Sequence, residues 1–325
     1  MRLRRSTPGK GGYRRKGRGR GFSYHHADGT TVTDRAELDR IKALVIPPAW
    51  RDVWISDDPR GHIQAVGTDA AGRRQYRYHD VWRVKRDAAK FDHVLEVGAR
   101  LPHLRKQVDA DLHSRGFGRD RILAVAVRLL DVGCFRIGGE AYAAGEEGTF
   151  GLATLLREHV VLPRGAVRFC YPAKGGIERS VDVTDPDVRT VLQKLLRQDT
   201  GQEELLVFRD GRRWVDVRSG DINAYLRDVG GIEISAKDFR TWHGTVLAAR
   251  LLAQEKKVTK RAVPRVMREV AQFLGNTPTV ARASYVDPRV VDLYGGGVTI
   301  PKAATGTRER CEAAVLDLLA DTPGR

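Results

Sequence analysis

The chain has 325 residues, 41% apolar and 30% charged, enough to bury a sizeable core and too long for one domain of ordinary size. Lys and Arg number 57 against 41 Asp and Glu, a formal charge of +16 that argues against an ordinary metabolic enzyme and for a polyanionic partner. Nucleic acid heads that class, because neutralised phosphates supply most of such binding, whereas an anionic membrane surface would call for a long basic amphipathic helix that is not legible. No apolar run approaches a membrane span and no apolar stretch follows the basic N-terminus as a secretory signal would. Cys134, Cys170 and Cys311 form neither a disulfide framework nor a metal motif, as expected of a reducing cytosol.

Residues 1–22 carry nine Lys or Arg, six Gly and no acid, and are expected to be a disordered basic tail. Nonspecific phosphate contacts, localisation or no role at all are equally compatible with such a run. Residues 23–86 read as β-rich. Turn signals at Asp28-Gly29, Asp57–Gly61 and Ala71-Gly72 separate strands over 53–56, 63–67 and 75–78, with a short helix over 34–44 closed by Pro47 and Pro48. A strand over 75–78 puts Gln75 and Arg77 on one side and Tyr76 and Tyr78 on the other.

From about residue 85 the apolar period becomes helical, through Phe91, Val94, Leu95, Leu101, Leu104, Val108 and Leu112, with a break expected at Pro102. A second helix over 122–132 ends near Gly133. Strands over 167–171 and 177–183 flank Pro172–Gly176, a hairpin with Lys174 at its tip. Helices follow over 185–198, 219–227, 235–254 and 260–274, the last stopped by Gly275. Thr277-Pro278 opens a short helix carrying Tyr285, and Gly295–Gly297 precedes a final helix over 308–320. No internal repeat and no glycine-rich nucleotide loop is legible. The expected architecture is α+β: a small β-rich N-terminal domain over 23–86 and a larger, mainly α domain over 87–325 with a small hairpin or sheet.

Without a nucleotide loop, a Ser-His-Asp motif or clustered metal ligands, phosphodiester chemistry falls entirely to side chains. It needs a nucleophile, cations for the phosphate oxygens and a proton donor for the leaving oxygen. Arg136 just beyond a helix end, Lys174 on a glycine turn, Arg240 on a capped helix, and Asn276 and Tyr285 around a short helix offer these types. Each alone has an ordinary reading: dipole complement, solvated turn, ion pair, helix cap and packing aromatic, respectively. His243, one turn beyond Arg240, reads as structural support. The joint pattern outweighs the separate readings.

The ordered motifs are Ile46–Trp50 (IPPAW), Gly61–Gln64 (GHIQ), Arg74–His79 (RQYRYH), Phe135–Gly138 (FRIG), Lys174–Gly176 (KGG), Lys237–His243 (KDFRTWH), and Leu274–Pro278 (LGNTP) with Tyr285. On these the chain resembles the short type IB DNA topoisomerases of bacteria and poxviruses over most of residues 23–300. The resemblance implies a two-domain C-shaped clamp around duplex DNA. It further implies relaxation of supercoils through single-strand cleavage, a 3′-phosphotyrosyl intermediate, strand rotation and religation, without ATP, metal or other cofactor. Tyr285 would be the nucleophile, Arg136 and Arg240 the phosphate clamp and Lys174 the proton donor. Asn276 would stand where many relatives carry histidine, able to donate a hydrogen bond but not to carry charge. Gln75, Tyr76, Tyr78 and Lys237 would contact DNA. A monomer, free of membrane and acting on the cytoplasmic nucleoid, completes the expectation. A tyrosine recombinase is the nearest alternative, but would present histidine at position 237 and a helical N-terminal domain; a non-catalytic DNA-binding protein would explain the charge alone.

Overall fold

A computed structural model describes residues 1–143 and 148–320. The chain divides into two compact units, Met1–Lys90 and Phe91–Arg325. The first is built on β1 (Tyr13–Arg18), β2 (Gly21–His25), β3 (Arg51–Ile55), β4 (Ile63–Thr68) and β5 (Arg74–Tyr78), an antiparallel sheet in the order β2-β1-β3-β4-β5. Helix α1 (Arg35–Ala43) is started by Asp34, whose carboxylate accepts from the N–H of Ala36. Ile41 of α1 packs with Tyr13, Val32, Val53, Ile55 and Ala65 in a small core.

The first 22 residues therefore depart from the disorder expected of them. Tyr13 is buried, and β1 pairs with both β2 and β3. The arginines are structural forks as well as charges. The Arg15 guanidinium donates to the carbonyls of Pro47 (3.1 Å) and Trp50 (2.6 Å) and lies 4.1 Å from the centre of the Phe22 ring. Composition missed this because a strand between two partners is held by backbone hydrogen bonds, which need no apolar side chain.

The second unit is mainly helical. Its helices are α2 (Asp80–Leu112, whose first turns belong to the first unit), α3 (Arg119–Gly133), α4 (Glu140–Ala143), α5 (Pro186–Leu195), α6 (Ser219–Gly230), α7 (Ala236–Ala253), α8 (Ala262–Leu274), α9 (Pro278–Ser284), α10 (Pro288–Gly295) and α11 (Arg308–Ala320). A three-stranded antiparallel sheet joins β6 (Val160–Val161), β7 (Val167–Ala173) and β8 (Ile177–Val183). A separate hairpin, not expected from the sequence, pairs β9 (Val207–Asp210) with β10 (Arg213–Asp216). The α+β class and the β-rich N-terminal region hold.

Pro102 does not break α2, contrary to expectation. An interior proline removes one helix hydrogen bond and costs about 3 kcal/mol. Burial of Val94, Val97, Leu101, Leu104, Val108 and Leu112 along one face outweighs that, each such side chain contributing about 1.5–3 kcal/mol. The core of the unit surrounds α3 and α7, both buried nearly all round.

Candidate active site

Helix α3 ends in a left-handed turn at Cys134 (φ 49°), which sends the Phe135 ring back against Phe169, 4.9 Å between centres, and leaves Arg136 half-buried at the wall of a cleft. The backbone at Arg136 is clamped from outside. Leu152 and Ala153 donate N–H groups to the carbonyls of Arg136 (2.8 Å) and Ile137 (2.7 Å). That approach brings Gly151 against Gly138, which has φ +84°, and leaves no room for a Cβ on either.

Helix α7 is capped by Ser235, whose N–H and hydroxyl both donate to the Asp238 carboxylate. One turn on, Arg240 is only 3% exposed. Burying a guanidinium is costly unless its donors are used. Arg240 donates from Nη1 to the Cys134 carbonyl (2.5 Å) and from Nη2 to the Leu274 carbonyl (2.7 Å), the terminal carbonyls of α3 and α8. Its Cζ lies 5.2 Å from the centre of the Tyr285 ring.

At the end of α8, Gly275 adopts φ +62° and the N–H of Asn276 closes back onto the Ala271 carbonyl at 2.8 Å, a Schellman termination. The backbone of Asn276 thus caps a helix while its side chain does something else: its Oδ1 accepts from Arg136 Nη2 at 2.6 Å, and the same nitrogen donates to the Gly275 carbonyl at 2.6 Å. Thr277 and Pro278 then start α9, which delivers Tyr285 at its C-terminal cap. Arg136, Arg240, Asn276 and Tyr285 are therefore brought together. Lys174, at the exposed turn between β7 and β8, lines the same cleft of about 960 Å³ as Arg136, Asn276 and Tyr285.

The site is cationic, and its arginines lean on backbone carbonyls rather than carboxylates. Burial first, then the neighbouring Arg240 and Arg179 guanidiniums, press the pKa of Arg136 below its usual value, although a guanidinium stays charged at any ordinary pH. Arg179 is lowered too, chiefly by burial. Three donors, Arg179 Nε, Arg240 Nε and Asn276 Nδ2, are buried without a hydrogen-bond partner. Such a set suits an oxyanion with its remaining charge beside a phenol. Among the described residues no group of three or more His, Cys, Asp or Glu is arranged to hold a metal ion.

Sequence reasoning missed two features. Arg179 on β8 reaches into the site, but one more basic residue in an exposed-looking strand carries no signal. The second is a buried ionic cluster behind the site. Asp131 accepts from Arg105 at 2.9 and 3.1 Å, from His243 Nε2 at 3.1 Å and from Arg308 of α11, and Arg105 also grips Glu312 at 2.6 and 2.8 Å. His243 is thus tied to this cluster.

The N-terminal residues picked out as DNA contacts lie on β5, an edge strand of the sheet in the first unit. Tyr76 and Tyr78 are each 42% exposed and stack at 6.0 Å, with Arg74 5.8 Å from the Tyr76 ring, so they are not core residues. The Gln75 amide is tied to Asp69 at 2.9 Å. Lys237, in the second unit, is exposed in the first turn of α7.

Residues 79–292, which contain all five residues of the candidate site, match the family described as eukaryotic DNA topoisomerase I, catalytic core. Residues 21–69 match the bacterial DNA topoisomerase IB N-terminal domain. The chain is 26% identical over 296 residues to the DNA topoisomerase 1B of Acanthamoeba polyphaga mimivirus, an alignment covering 88% of each protein.

Proposed function

The chain belongs to the type IB DNA topoisomerases, and on that premise we propose that it relaxes supercoiled duplex DNA by transesterification through Tyr285. The Tyr285 oxygen attacks a backbone phosphorus, its phenolic proton passes to solvent water, and the bond from phosphorus to the 5′ oxygen breaks. Lys174 gives its proton to that oxygen, which departs as a hydroxyl. Arg136 and Arg240 face the non-bridging oxygens, whose charge grows as the phosphorus becomes five-coordinate, and Asn276 adds a neutral hydrogen bond. One phosphodiester replaces another, so the free strand rotates and its 5′ hydroxyl reverses the attack with no nucleotide consumed. Guanidiniums supply the positive charge for which other phosphoryl-transfer enzymes use metal ions.

The observation that carries this reading is that Arg136, hydrogen-bonded to Asn276, lines one cleft with Lys174 and Tyr285, while the Arg240 guanidinium lies 5.2 Å from the centre of the Tyr285 ring. A recombinase is disfavoured, because position 237 is lysine and the first unit is a five-stranded sheet. The decisive assay is supercoiled plasmid with EDTA and no ATP. A ladder of relaxed topoisomers is expected, and an unchanged linking number would overturn the proposal.

Duplex DNA as partner also makes a prediction for the basic hairpin. Lys16, Arg18 and Arg20 are exposed and have no ion-pair partner among the described residues. Replacing all three by Gln is expected to weaken binding and to flatten the slope of log affinity against log salt by about 2–3, at roughly 0.9 per phosphate contact. A titration of fluorescent duplex at several salt concentrations measures it, and an unchanged slope would remove this hairpin from the interface.

A further inference from the structure

We propose that Arg179 is a positioning residue, the tie that holds the Lys174 hairpin in register with the rest of the site; the inference rests on the transesterification reading above. The lysine needs such a tie. Its turn continues into Gly175 and Gly176, both at positive φ (85° and 70°), and its side chain is exposed. On the β7 side the hairpin is anchored by the buried Val167, Phe169 and Tyr171. On β8 the half nearest the tip has no comparable anchor, since Ile177, Glu178 and Ser180 are all exposed and Arg179 alone of residues 177–180 turns inward.

What Arg179 grips is specific. Nη1 donates to the Leu274 carbonyl at 2.9 Å, and Nη2 reaches the carbonyls of Phe273 (3.4 Å) and Cys134 (3.5 Å). These are the carbonyl ends of α8 and α3, which lack partners within their own helices and sit at the negative end of the helix dipole. Two of them, Cys134 and Leu274, are the same carbonyls that Arg240 holds. They directly precede the chain segments that present Arg136 and Asn276. The absent side chain of Gly275 completes the arrangement, because a Cβ there would collide with Arg179 Nη1. One guanidinium therefore ties the strand carrying the proton donor to the turn and the cap that Arg240 already holds together. Lysine, a point donor, cannot span these carbonyls as the planar fork does.

The test separates a role through Lys174 from a general one. A duplex oligonucleotide carrying a site that the parent protein cleaves is made in two forms, with oxygen or with sulfur as the 5′ bridging atom. An alkanethiolate leaves without being protonated, so the sulfur substrate needs no proton donor; thiols ionise near pKa 8.5. Single-turnover cleavage is compared for the parent, Lys174→Met and Arg179→Met. On the oxygen substrate Arg179→Met is expected to slow cleavage about 10- to 100-fold, part of the 10²–10⁴ that a positioned acid contributes. On sulfur the defect is expected to shrink to within about threefold, as is expected for Lys174→Met, since only the proton-donating contribution is removed. Equal slowing on both substrates, or no slowing on either, overturns the proposal. The ratio of the two rates comes from one preparation and is indifferent to the folded fraction. A parent that cleaves neither substrate refutes the functional reading itself, a result distinct from any of these.

Discussion

Tyr285→Phe is expected to abolish relaxation and to leave no DNA covalently attached to protein after denaturation, a loss of at least about 10⁴ when the nucleophile of a covalent mechanism is removed. The substitution deletes one oxygen and keeps the ring that packs 5.2 Å from the Arg240 guanidinium, so the surrounding geometry should persist. Binding of duplex should change less than threefold, because the phosphate contacts proposed for Arg136 and Arg240 do not involve the phenol oxygen. Gel retention of labelled DNA with the denatured protein and a plasmid relaxation assay measure the two effects. Residual relaxation at more than about a hundredth of the parent rate would assign the attack to another group.

Asp131→Asn is expected to be the most damaging conservative change away from the cleft. It leaves the Arg105 and Arg308 guanidiniums facing a neutral amide in a buried cluster, and breaking such a group typically costs about 3–5 kcal/mol. For a unit of this size that lowers Tm by on the order of 10 °C. The pH dependence gives an independent check. Burial works to raise the pKa of Asp131, but His243, Arg105 and Arg308 together outweigh it and hold the carboxyl far below the usual range. Glu312 is depressed in the same way, burial being opposed by Arg105 and Arg308. A carboxylate depressed in the folded state adds stability above its unfolded pKa, near 4, and that contribution is lost as pH falls through the folded value. His243 is depressed chiefly by burial, so stability begins to fall already below the unfolded imidazole value of about 6.5. The parent should therefore lose stability in two stages on acidification. The variant should show a flatter stage below about pH 4, where Asp131 no longer titrates. Urea midpoints measured across pH test this, and a variant within about 1 kcal/mol of the parent at neutral pH would show that the cluster contributes little.

Much of the helical unit was legible because its signals are local. Ser235 before α7, Asp185-Pro186 before α5 and Thr277-Pro278 before α9 are capping chemistry written into three or four consecutive residues. The residues of the site were legible as an ordered set of motifs, while their convergence depends on carbonyls that no side-chain pattern encodes. Arg179 and Arg240 meet at the ends of α3 and α8, and backbone acceptors look the same at every position in a sequence. The cluster around Asp131 was illegible for another reason: Arg105, Asp131, His243 and the Arg308–Glu312 pair of α11 come from four separate segments, and nothing local marks them as partners. Pro102 was misjudged because propensity is a local cost that burial of a long apolar face overrides.

The interior place of β1 in its sheet changes what the most cationic stretch of the chain can do. Deleting residues 1–22 would not trim a tether; it would excise an inner strand and orphan Trp54 Nε1, which donates to the Gly11 carbonyl at 3.0 Å. A loose arm captures a polyanion by reach, sampling volume at the expense of orientation. Charges riveted to a sheet instead project a fixed field, so their effect is expected in how DNA is aimed during diffusional encounter and is expected to fade steeply with ionic strength.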